Sequence, residues 1–572
     1  MARAQSKICR ICENRFLQLP LFGRVAVHLV FFCYLCMMPV NAVAKTYYVD
    51  NIAGEDANPG SAEASPWKTV DRVNRQQFLA GDVLLFKRGG EWFDVMIDVT
   101  SPDLTIGAYG TGAPPRLVGS VAVSDWQNRG NGIYSRHFPR PASRKEWTNW
   151  EVQLVMEPEN RFYKRVESLE ALTGEHFRDE WERFFDDSIW GGRFYYDKRS
   201  QTLFIKPLNP DSALTKTFFV GRQENVVEIK HAHIDRLVVR DVEIALANRY
   251  GIGVWWQGDK MTQGSVLVEN NMFVGNAFSA VCLSGYMNYD RIAIRNNTIR
   301  MSGAEGIYIG KNAARTAVEI TGNVVGDLHD GNFGWRGEGP TSAFNGDGIE
   351  VKTENVGVLI RGNTIRHLAI SGCGICTGSG SALITENVIE DIRLPGSKWL
   401  SPAEAIFVDI DDRLGVPTIR HNRIVLSEAA GIHVRGNMKL QPPLVIEDNY
   451  IELTPTNPNV QILFSVMNSH NIKIIGNKCT GGAYGLVFAP ADDPAYDYYV
   501  RDNDFLNTAV APFYFAQPGA AEFKRLFVSS NRVCGNSHVF IEWKNGVKVT
   551  TIADAHKVLG PNSLVATRCP QL

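Results

Sequence analysis

Short runs of alternating apolar and polar residues recur along the second half of the chain, and ten of them share one phrase. The runs are VENNMF, IRNNTI, ITGNVV, IRGNTI, ITENVI, IRHNRI, IEDNYI, IIGNKC, VRDNDF and VSSNRV. Their fourth residues are Asn271, Asn297, Asn323, Asn363, Asn387, Asn422, Asn449, Asn477, Asn503 and Asn531. The steps between these asparagines are 26, 26, 40, 24, 35, 27, 28, 26 and 28 residues. A related run, VVRDVEI, places Asp241 in the asparagine position.

This period predicts an all-β fold, a right-handed parallel β-helix of about 10–12 coils. One unit of this length cannot bury its own apolar face, but stacked units pair edge to edge, about 4.8 Å apart, and enclose a continuous core. The right hand follows from the general rule for parallel crossovers. The asparagine is expected to form a tight left-handed bend and to hydrogen-bond from coil to coil through its amide.

Two regions interrupt the repeat. Residues 126–221 are rich in Trp, Tyr and charge, with a helical-looking "SLEALTGEHFRDEWERFFDD" and a hairpin-like "RFYYDKRSQTLFIKP". They predict an inserted or capping α+β subdomain between the N-terminal strands and first coils, residues 45–125, and the main coil, residues 222–535. Residues 536–572 are expected to form a C-terminal cap, because an open β edge promotes aggregation.

Residues 1–44 have the pattern of an export signal. Five basic residues and one acidic residue accompany an apolar run, Val25 to Val40, followed by small residues at Ala42 and Ala44. Cleavage after Ala44 predicts a secreted, periplasmic or cell-surface protein with no membrane span in the mature chain, and an uncleaved anchor is the alternative. Removal of the segment changes the formal net charge from −2 to −6.

The composition bears on partners and cross-links. The mature charge does not favour nucleic acid, whose binding proteins carry basic patches, and a monomer is expected. Six cysteines remain after removal of the signal, too few for a disulfide scaffold. Cys534 and Cys569 are a candidate pair that joins the C-terminal tail to the body.

The mature N-terminus resembles a known group of proteins. "YYVDNIAGEDANPGSAEASPWKTVDRVN", followed by "GDVLLFKRGGEW", is similar to the first segment of right-handed β-helix proteins of the pectate-lyase-like superfamily. The resemblance covers residues 46–120 and 222–535. It implies the fold and leaves the activity open, because the superfamily includes lyases, hydrolases, epimerases and non-catalytic binders.

Unequal steps in the repeat predict where a site lies. The steps of 40 and 35 residues flank the shortest step, 24, and each contains an extra segment, between Val325 and Gly346 and between Asp391 and Ala405. A solenoid places such insertions on one face, which is often the binding face. Two raised walls with a low floor between them would form a cleft.

Alignment of the strands after these loops, "GIYIG", "GIEVK", "GICTG", "AIFVD" and "GIHVR", predicts which side chains face outward. The first outward set is Tyr308, Glu350, Cys376, Phe407 and His433, and the second is Gly310, Lys352, Gly378, Asp409 and Arg435. The candidate catalytic residues are Lys352, Glu350, Asp409, Arg435 and His433. The alternative is a surface charge ladder, with Arg435 paired to Asp409 and Lys352 paired to Glu350.

Further candidates surround this floor. The candidate substrate-binding residues are Trp335, Trp399, His329, Asp330 and Asp347, although a tryptophan can also anchor its own loop. Asp409, Asp411 and Asp412 supply oxygen ligands of the kind that Ca²⁺ prefers, which makes calcium the candidate cofactor. Cys373 and Cys376 are interpreted as a turn residue and a floor residue.

These residues predict an exported enzyme that cleaves an extended, uronate-containing polysaccharide, with β-elimination slightly favoured. Lys352 would be the base, which requires a depressed pKa, and Arg435 or calcium would neutralise the uronate carboxylate. A glycoside hydrolase would instead use two carboxyl groups from Glu350, Asp409, Asp347 and Asp330. A C5-epimerase and a non-catalytic carbohydrate-binding or surface protein also remain open.

Overall fold

The computed structural model describes most of the chain after residue 42. The described residues are 43–142, 149–173, 190–231, 233–254, 264–284, 289–310, 316–329, 346–352, 355–369, 372–378, 381–393, 404–410, 415–426, 429–436, 443–453, 462–467, 471–489, 497–516, 525–535 and 538–569. The predicted export signal lies almost entirely outside them and stays a prediction. Lys45–Leu572 forms one compact unit.

Three sheets of fourteen strands each form the body of this unit. Along the main coil, successive strands fall on successive sheets, and each strand pairs in parallel with the strand one coil later. This is the predicted right-handed parallel β-helix. The stack is taller than the 10–12 coils expected, because the N-terminal segment and the C-terminal cap add strands to its two ends.

The strands of the three sheets are as follows. Sheet 1 contains Thr46–Val49, Asp82–Lys87, Asp103–Tyr109, Arg236–Arg240, Ser265–Glu269, Arg291–Arg295, Ala317–Thr321, Val356–Arg361, Leu383–Thr385, Thr418–Arg420, Leu444–Glu447, Ile472–Ile475, Tyr498–Arg501 and Leu526–Ser529. Sheet 2 contains Glu91–Trp92, Arg116–Val118, Glu243–Ala245, Met272–Val274, Thr298–Arg300, Val324–His329, Thr364–Ala369, Val388–Arg393, Arg423–Leu426, Tyr450–Leu453, Lys478–Gly481, Asp504–Thr508, Asn531–Gly535 and Leu564–Ala566. Sheet 3 contains Ile97–Val99, Asn225–Ile229, Tyr250–Val254, Val281–Leu283, Ile307–Ile309, Ile349–Val351, Cys373–Thr377, Glu404–Ile410, Ala430–Gly436, Ile462–Met467, Tyr484–Ala489, Ala511–Phe515, Ile541–Trp543 and Lys548–Val549.

The core of the coil is a set of stacked apolar columns. In sheet 3, one inward position of each strand lies directly over the equivalent position of the next strand. This column contains Ile307, Ile349, Ile375, Ile406, Ile432, Phe464, Leu486, Phe513 and Ile541. All of these side chains are at most 1% exposed. Burial of each contributes roughly 1.5–3 kcal/mol, so the columns stabilise the stack continuously from end to end.

The repeated asparagines form a buried ladder between sheets 1 and 2. From Asn297 onward, each side-chain oxygen accepts hydrogen bonds from the backbone N–H and the side-chain amide of the asparagine one coil earlier, at about 3 Å, as between Asn363 and Asn387. Each side-chain amide also donates to a strand carbonyl, as from Asn387 to Ile360. The predicted coil-to-coil hydrogen bonding is confirmed.

The prediction that the asparagine itself adopts the left-handed conformation is wrong. The residue before it does so, for example Glu386 with a φ of 59° and His421 with a φ of 55°. In the related run VVRDVEI, Asp241 has a φ of 61°, and the N–H of Val242 donates to the side-chain oxygen of Asn271. Asp241 therefore occupies the bend position, and Val242 stands where later coils have asparagine.

A fourth, mixed sheet of eight strands spans residues 120–221, so it begins before the insertion predicted at residues 126–221. In spatial order its strands are Ser120–Val123, Phe218–Gly221, Val155–Glu157, Arg161–Arg165, Trp190–Asp197, Thr202–Pro207, Ile133–His137 and Gln127–Gly130. Trp190–Asp197 and Thr202–Pro207 pair as the antiparallel hairpin predicted from the sequence. Of the predicted helix, Leu169–Thr173 is helical, and residues 174–189 lie outside the described residues.

The C-terminal segment covers the end of the stack. Lys548–Val549 turns back antiparallel on Ile541–Trp543 at the edge of sheet 3, and a helix, Ile552–Leu559, follows. A disulfide joins Cys534 to Cys569, as the sequence suggested. The other described helices are Val70–Asn74, Leu169–Thr173 and Ser212–Thr215. Among the described residues, no helix has the length and apolar character that crossing a bilayer requires.

Candidate functional site

The strands of sheet 3 carry the predicted candidate residues in the predicted register. Tyr308, Glu350, Cys376, Phe407 and His433 lie opposite one another on five consecutive coils. We call these five residues the outward row. Asp409 lies opposite Arg435 in the same way. The register derived from the strand alignment is therefore confirmed.

A second set of outward side chains lies two residues before the inward isoleucine of each strand, directly before a glycine or an alanine. A Cβ atom on Gly348 would lie 2.9 Å from the core atom Cγ2 of Ile365, so Gly348 faces inward. Because Ile349 also faces inward, the usual alternation is broken there, and the residue before the glycine faces outward. This set, called the pre-glycine row, contains Glu305, Asp347, Cys373 and Glu404. Sequence reasoning missed Glu305 and Glu404 as site residues, although "EGI", "DGI", "CGI" and "EAI" carry the signal.

Lys352 is paired with Glu350. The Lys352 ammonium donates to the carboxylate of Glu350, two residues earlier, and lies 5.8 Å from the centre of the Tyr308 ring. Glu350 is 5% exposed, and burial raises its pKa although Lys352 opposes the rise. Burial lowers the pKa of Lys352, but the hydrogen bond and charge of Glu350 raise it more, so the pKa lies above its ordinary value. A lysine base would need the opposite shift.

Glu404 and His433 form a second buried pair. His433 Nδ1 lies 2.9 Å from Glu404 Oε1, and their side chains are 11% and 6% exposed. The ring of Phe407 meets the His433 ring edge to face, with centroids 5.1 Å apart. This packing fixes the orientation of the imidazole. His433 therefore contacts a carboxylate that the sequence did not indicate as its partner.

Asp409 and Arg435 form the exposed ion pair that the alternative interpretation described. Arg435 donates to both carboxylate oxygens of Asp409, at 2.9 and 3.3 Å, and both side chains are about half exposed. The Arg435 guanidinium lies 5.0 Å from the centre of the Phe407 ring. An exposed pair of this kind contributes at most about 1 kcal/mol to stability.

Asp347, Cys373 and Cys376 form a compact cluster between these pairs. Asp347 is 1% exposed, and its Oδ1 accepts a hydrogen bond of 2.6 Å from the Cys373 N–H. Burial, followed by the charges of Cys376 and Glu350, raises the pKa of Asp347 well above its usual value. The Cys373 thiol lies 3.5 Å from Glu404 Oε2. Cys373 is therefore the first residue of its strand and part of a polar cluster, where the sequence had predicted a turn residue.

Several predicted residues cannot be placed. Asp330, Trp335, Trp399, Asp411 and Asp412 lie outside the described residues, as does the side chain of His329, whose backbone ends a strand of sheet 2. The two walls of the cleft stay a prediction for this reason. The calcium site also stays a prediction, since Asp409 is the one proposed ligand in the described part of the chain.

Together, the fold and the site define a right-handed parallel β-helix protein with a polar cluster on the outer face of sheet 3. The model of the right-handed β-helix region matches residues 225–451 and 347–554, which together are more than half of the chain. The chain therefore belongs to the right-handed β-helix family.

Individual relatives were also found. A lacto-N-biosidase of Bifidobacterium longum subsp. longum is 24% identical over 282 residues, which is 47% of this chain and 16% of the relative. The complex of XylC with xylose superposes with a TM-score of 0.56 at 12% identity, over 88% of this chain and 86% of that chain. A GH136 lacto-N-biosidase from Eubacterium ramulus gives a TM-score of 0.31 at 13% identity, over 92% of this chain and 67% of that chain. Of these structures, XylC shares the fold.

Proposed function

We propose that this protein is a glycoside hydrolase that binds a saccharide over the coil carrying Cys376 and Gly378, with Glu350 and Glu404 as its two carboxyl groups. One observation carries the proposal. Glu350 and Glu404 are buried carboxyl groups on the outer face of sheet 3, and they stand one coil before and one coil after the coil with the small side chains.

The arrangement suits glycosidic-bond hydrolysis. One carboxyl group must protonate the leaving oxygen, and the other must act as a nucleophile or activate a water. Two strand spacings, about 10 Å, separate the backbones of the two coils, which is close to the separation of about 6.5–9.5 Å between the carboxyl groups of inverting glycosidases. Lys352 holds the carboxyl group of Glu350, and His433 holds that of Glu404. Such partners keep reacting groups oriented, which is a large part of catalytic power.

Hydrolysis fits these contacts better than β-elimination does. The lyase interpretation requires Lys352 to lose its proton readily, but the ion pair with Glu350 raises the lysine pKa. It also requires a cation for the uronate carboxylate, and Arg435 already binds both oxygens of Asp409. A uronate-containing polymer accordingly remains a sequence-based prediction, and we favour a neutral saccharide.

The curated relative supports a saccharide substrate in general terms. Its name, lacto-N-biosidase, describes a carbohydrate-cleaving enzyme, and the match spans 16% of its length. The similarity to XylC concerns the fold. Neither comparison identifies the sugar, so the test requires a panel of substrates.

The test is incubation of the purified chain with neutral oligosaccharides, including xylose-based and lacto-N-biose-based ones, and with uronate polymers. We expect new reducing ends without the ultraviolet absorbance of an unsaturated product. Glu350→Gln and Glu404→Gln should each lower the rate by roughly 10²-fold or more, as loss of an acid or base does. Glu386→Gln, an exposed carboxylate paired with Arg361 on sheet 1, is the matched control.

Three results would overturn the proposal. Unsaturated products would assign a lyase, and full activity of both glutamine variants would remove these carboxyl groups from the reaction. Saccharide binding with no cleavage across the panel would indicate a non-catalytic binding protein.

A further inference from the structure

We propose that Asp347, Cys373 and Cys376 form a binding site for a thiophilic divalent cation, Zn²⁺, on the outer face of sheet 3. This site goes beyond the proposed hydrolysis: it lies on the same coil, but it is defined by its three donor residues and its test involves no saccharide. The three residues come from two neighbouring coils, with Asp347 on one and both cysteines on the next.

The distances between the donor atoms suit one metal ion. One carboxylate oxygen of Asp347 and the two sulfurs lie within 4.8 Å of one another. With Zn–S bonds of about 2.3 Å, two sulfurs on one tetrahedral zinc stand about 3.8 Å apart. Small side-chain rotations are therefore enough to bring the three donors to bonding distance.

An unpartnered oxygen provides a second, independent indication of a ligand. Asp347 is 1% exposed, and its Oδ1 accepts the hydrogen bond from the Cys373 N–H. Its Oδ2 is buried and has no hydrogen-bond partner among the described residues. A buried carboxylate oxygen without a partner costs free energy, and a bound cation would satisfy it.

The state of the cysteines agrees with a metal site. Cys373 and Cys376 are free thiols, whereas Cys534 and Cys569 of the same chain are joined as a disulfide. A carboxylate with two thiols is a donor set for zinc rather than calcium, which prefers oxygen ligands alone. On binding, each thiol would release one proton to solvent as its sulfur bonds to the ion. The ion, two thiolates and one carboxylate then have a net charge of −1.

Neighbouring residues orient the proposed ligands and leave a fourth position on the ion. Glu404 Oε2 lies 3.5 Å from the Cys373 sulfur, and His433 contacts the other oxygen of Glu404. A residue that orients a ligand in this way is a usual feature of metal sites. The fourth position would be taken by a water molecule, and Glu404 would keep the role that the hydrolase proposal gives it.

The test is a Co²⁺ titration of the full chain, stripped with a chelator and kept reduced with a phosphine. We expect one Co²⁺ per chain, a thiolate-to-cobalt charge-transfer band, and displacement of the cobalt by one equivalent of Zn²⁺. Asp347→Asn and Cys376→Ser should each lower the affinity by at least about tenfold. Both variants should have the circular dichroism spectrum of the wild type. If Cys376→Ser does not fold, Asp347→Asn still tests the site, because asparagine has the same shape as aspartate.

Cys282→Ser is the matched control, because Cys282 is a free thiol on sheet 3, opposite Tyr308, and contacts Ser284 instead of the cluster. It should bind cobalt as the wild type does. Absence of stoichiometric binding, a cobalt complex without the charge-transfer band, or unchanged affinity in both test variants would overturn the site. Since no saccharide is present, failure here would leave the hydrolase proposal intact, and the reverse also holds.

Discussion

Lys352, directly after the sheet 3 strand Ile349–Val351, donates a hydrogen bond to Glu350 within that strand, and the two side chains therefore form one unit. The Lys352 side chain is 42% exposed, whereas that of Glu350 is 7% exposed. The ion pair therefore consists of a buried carboxylate and a partly exposed ammonium group. In this position Lys352 stabilises the ionised form of Glu350. It is then a positioning residue for the carboxyl group rather than a base.

Lys352→Met tests this role. The methionine keeps the apolar stem but removes the charge, so Glu350 loses its partner and its orientation. We expect the hydrolysis rate to fall by roughly tenfold, less than the 10²–10⁴-fold fall that follows loss of a catalytic base. Lys352→Arg should recover most of the rate. Complete loss of activity in Lys352→Met, together with an active Glu350→Gln, would instead identify Lys352 as the base.

Asn387→Ala tests the asparagine ladder. Its side chain accepts from the Asn363 N–H and donates to the Ile360 carbonyl, and both groups are buried. Truncation leaves these two groups without that partner, and we expect the free energy of unfolding to fall by about 3 kcal/mol. Chemical denaturation measures it. Asn545→Ala, in an exposed turn, should change it by less than about 0.5 kcal/mol. Equal effects at both positions would contradict a structural role for the ladder.

Cys569→Ser tests the C-terminal cross-link. The disulfide closes a sequence separation of 35 residues, and the chain-entropy model assigns such a loop about 3–4 kcal/mol. We expect the variant to unfold at lower denaturant concentration, and reductant should move the wild type to the same midpoint. A wild-type midpoint that does not respond to reductant would show that the cross-link contributes nothing to stability.

The lowered pKa of Glu319 predicts that the free energy of unfolding depends on pH. Burial alone would raise its pKa, but hydrogen bonds from Arg291 and Arg295, at 2.7 and 2.8 Å, lower it below the usual value. Its stabilising contribution is therefore present above the pKa of an unfolded glutamate and is lost as the pH falls through the lower folded pKa. The contribution is modest, because solvent screens the pair.

Glu319→Gln should reduce this acid-side decrease in stability, measured as the denaturation midpoint against pH. Glu55→Gln is the control. The Glu55 side chain is exposed, and the backbone N–H of this residue donates to the Pro66 carbonyl, a hydrogen bond that the substitution keeps. An acid-side slope that Glu319→Gln leaves unchanged would contradict the assigned shift.

The repeat made the coil and much of the site predictable. Asn363 and Asn387 recur at one position of a phrase, and ladder positions one coil apart must lie side by side in a parallel stack. The same logic placed Glu350 opposite Cys376 and Phe407 opposite His433, because a strand alternates its side chains with a period of two. The pairing of Arg435 with Asp409 followed from the same alignment.

The alternation of side chains with a period of two does not hold where the backbone departs from a regular strand. At Gly348 two successive residues face inward, so a plain period of two does not reveal the outward position of Asp347, which the sequence analysis nevertheless named, or that of Glu404, which it missed. The left-handed bend was placed on the asparagine, although it belongs to the preceding residue, such as Glu386. Both errors concern φ and ψ at single corner residues, which an apolar pattern does not report.

The repeat was enough to predict the parallel coil, its register and the outward position of Lys352, because a fixed period forces equivalent residues into contact between coils. The folded chain was needed to show that Lys352 is bound to Glu350, that His433 contacts Glu404, and that Asp347 lies beside two thiols. Those contacts depend on the burial of each group and on side-chain direction at the corners of the coil, and both are set when neighbouring coils pack together.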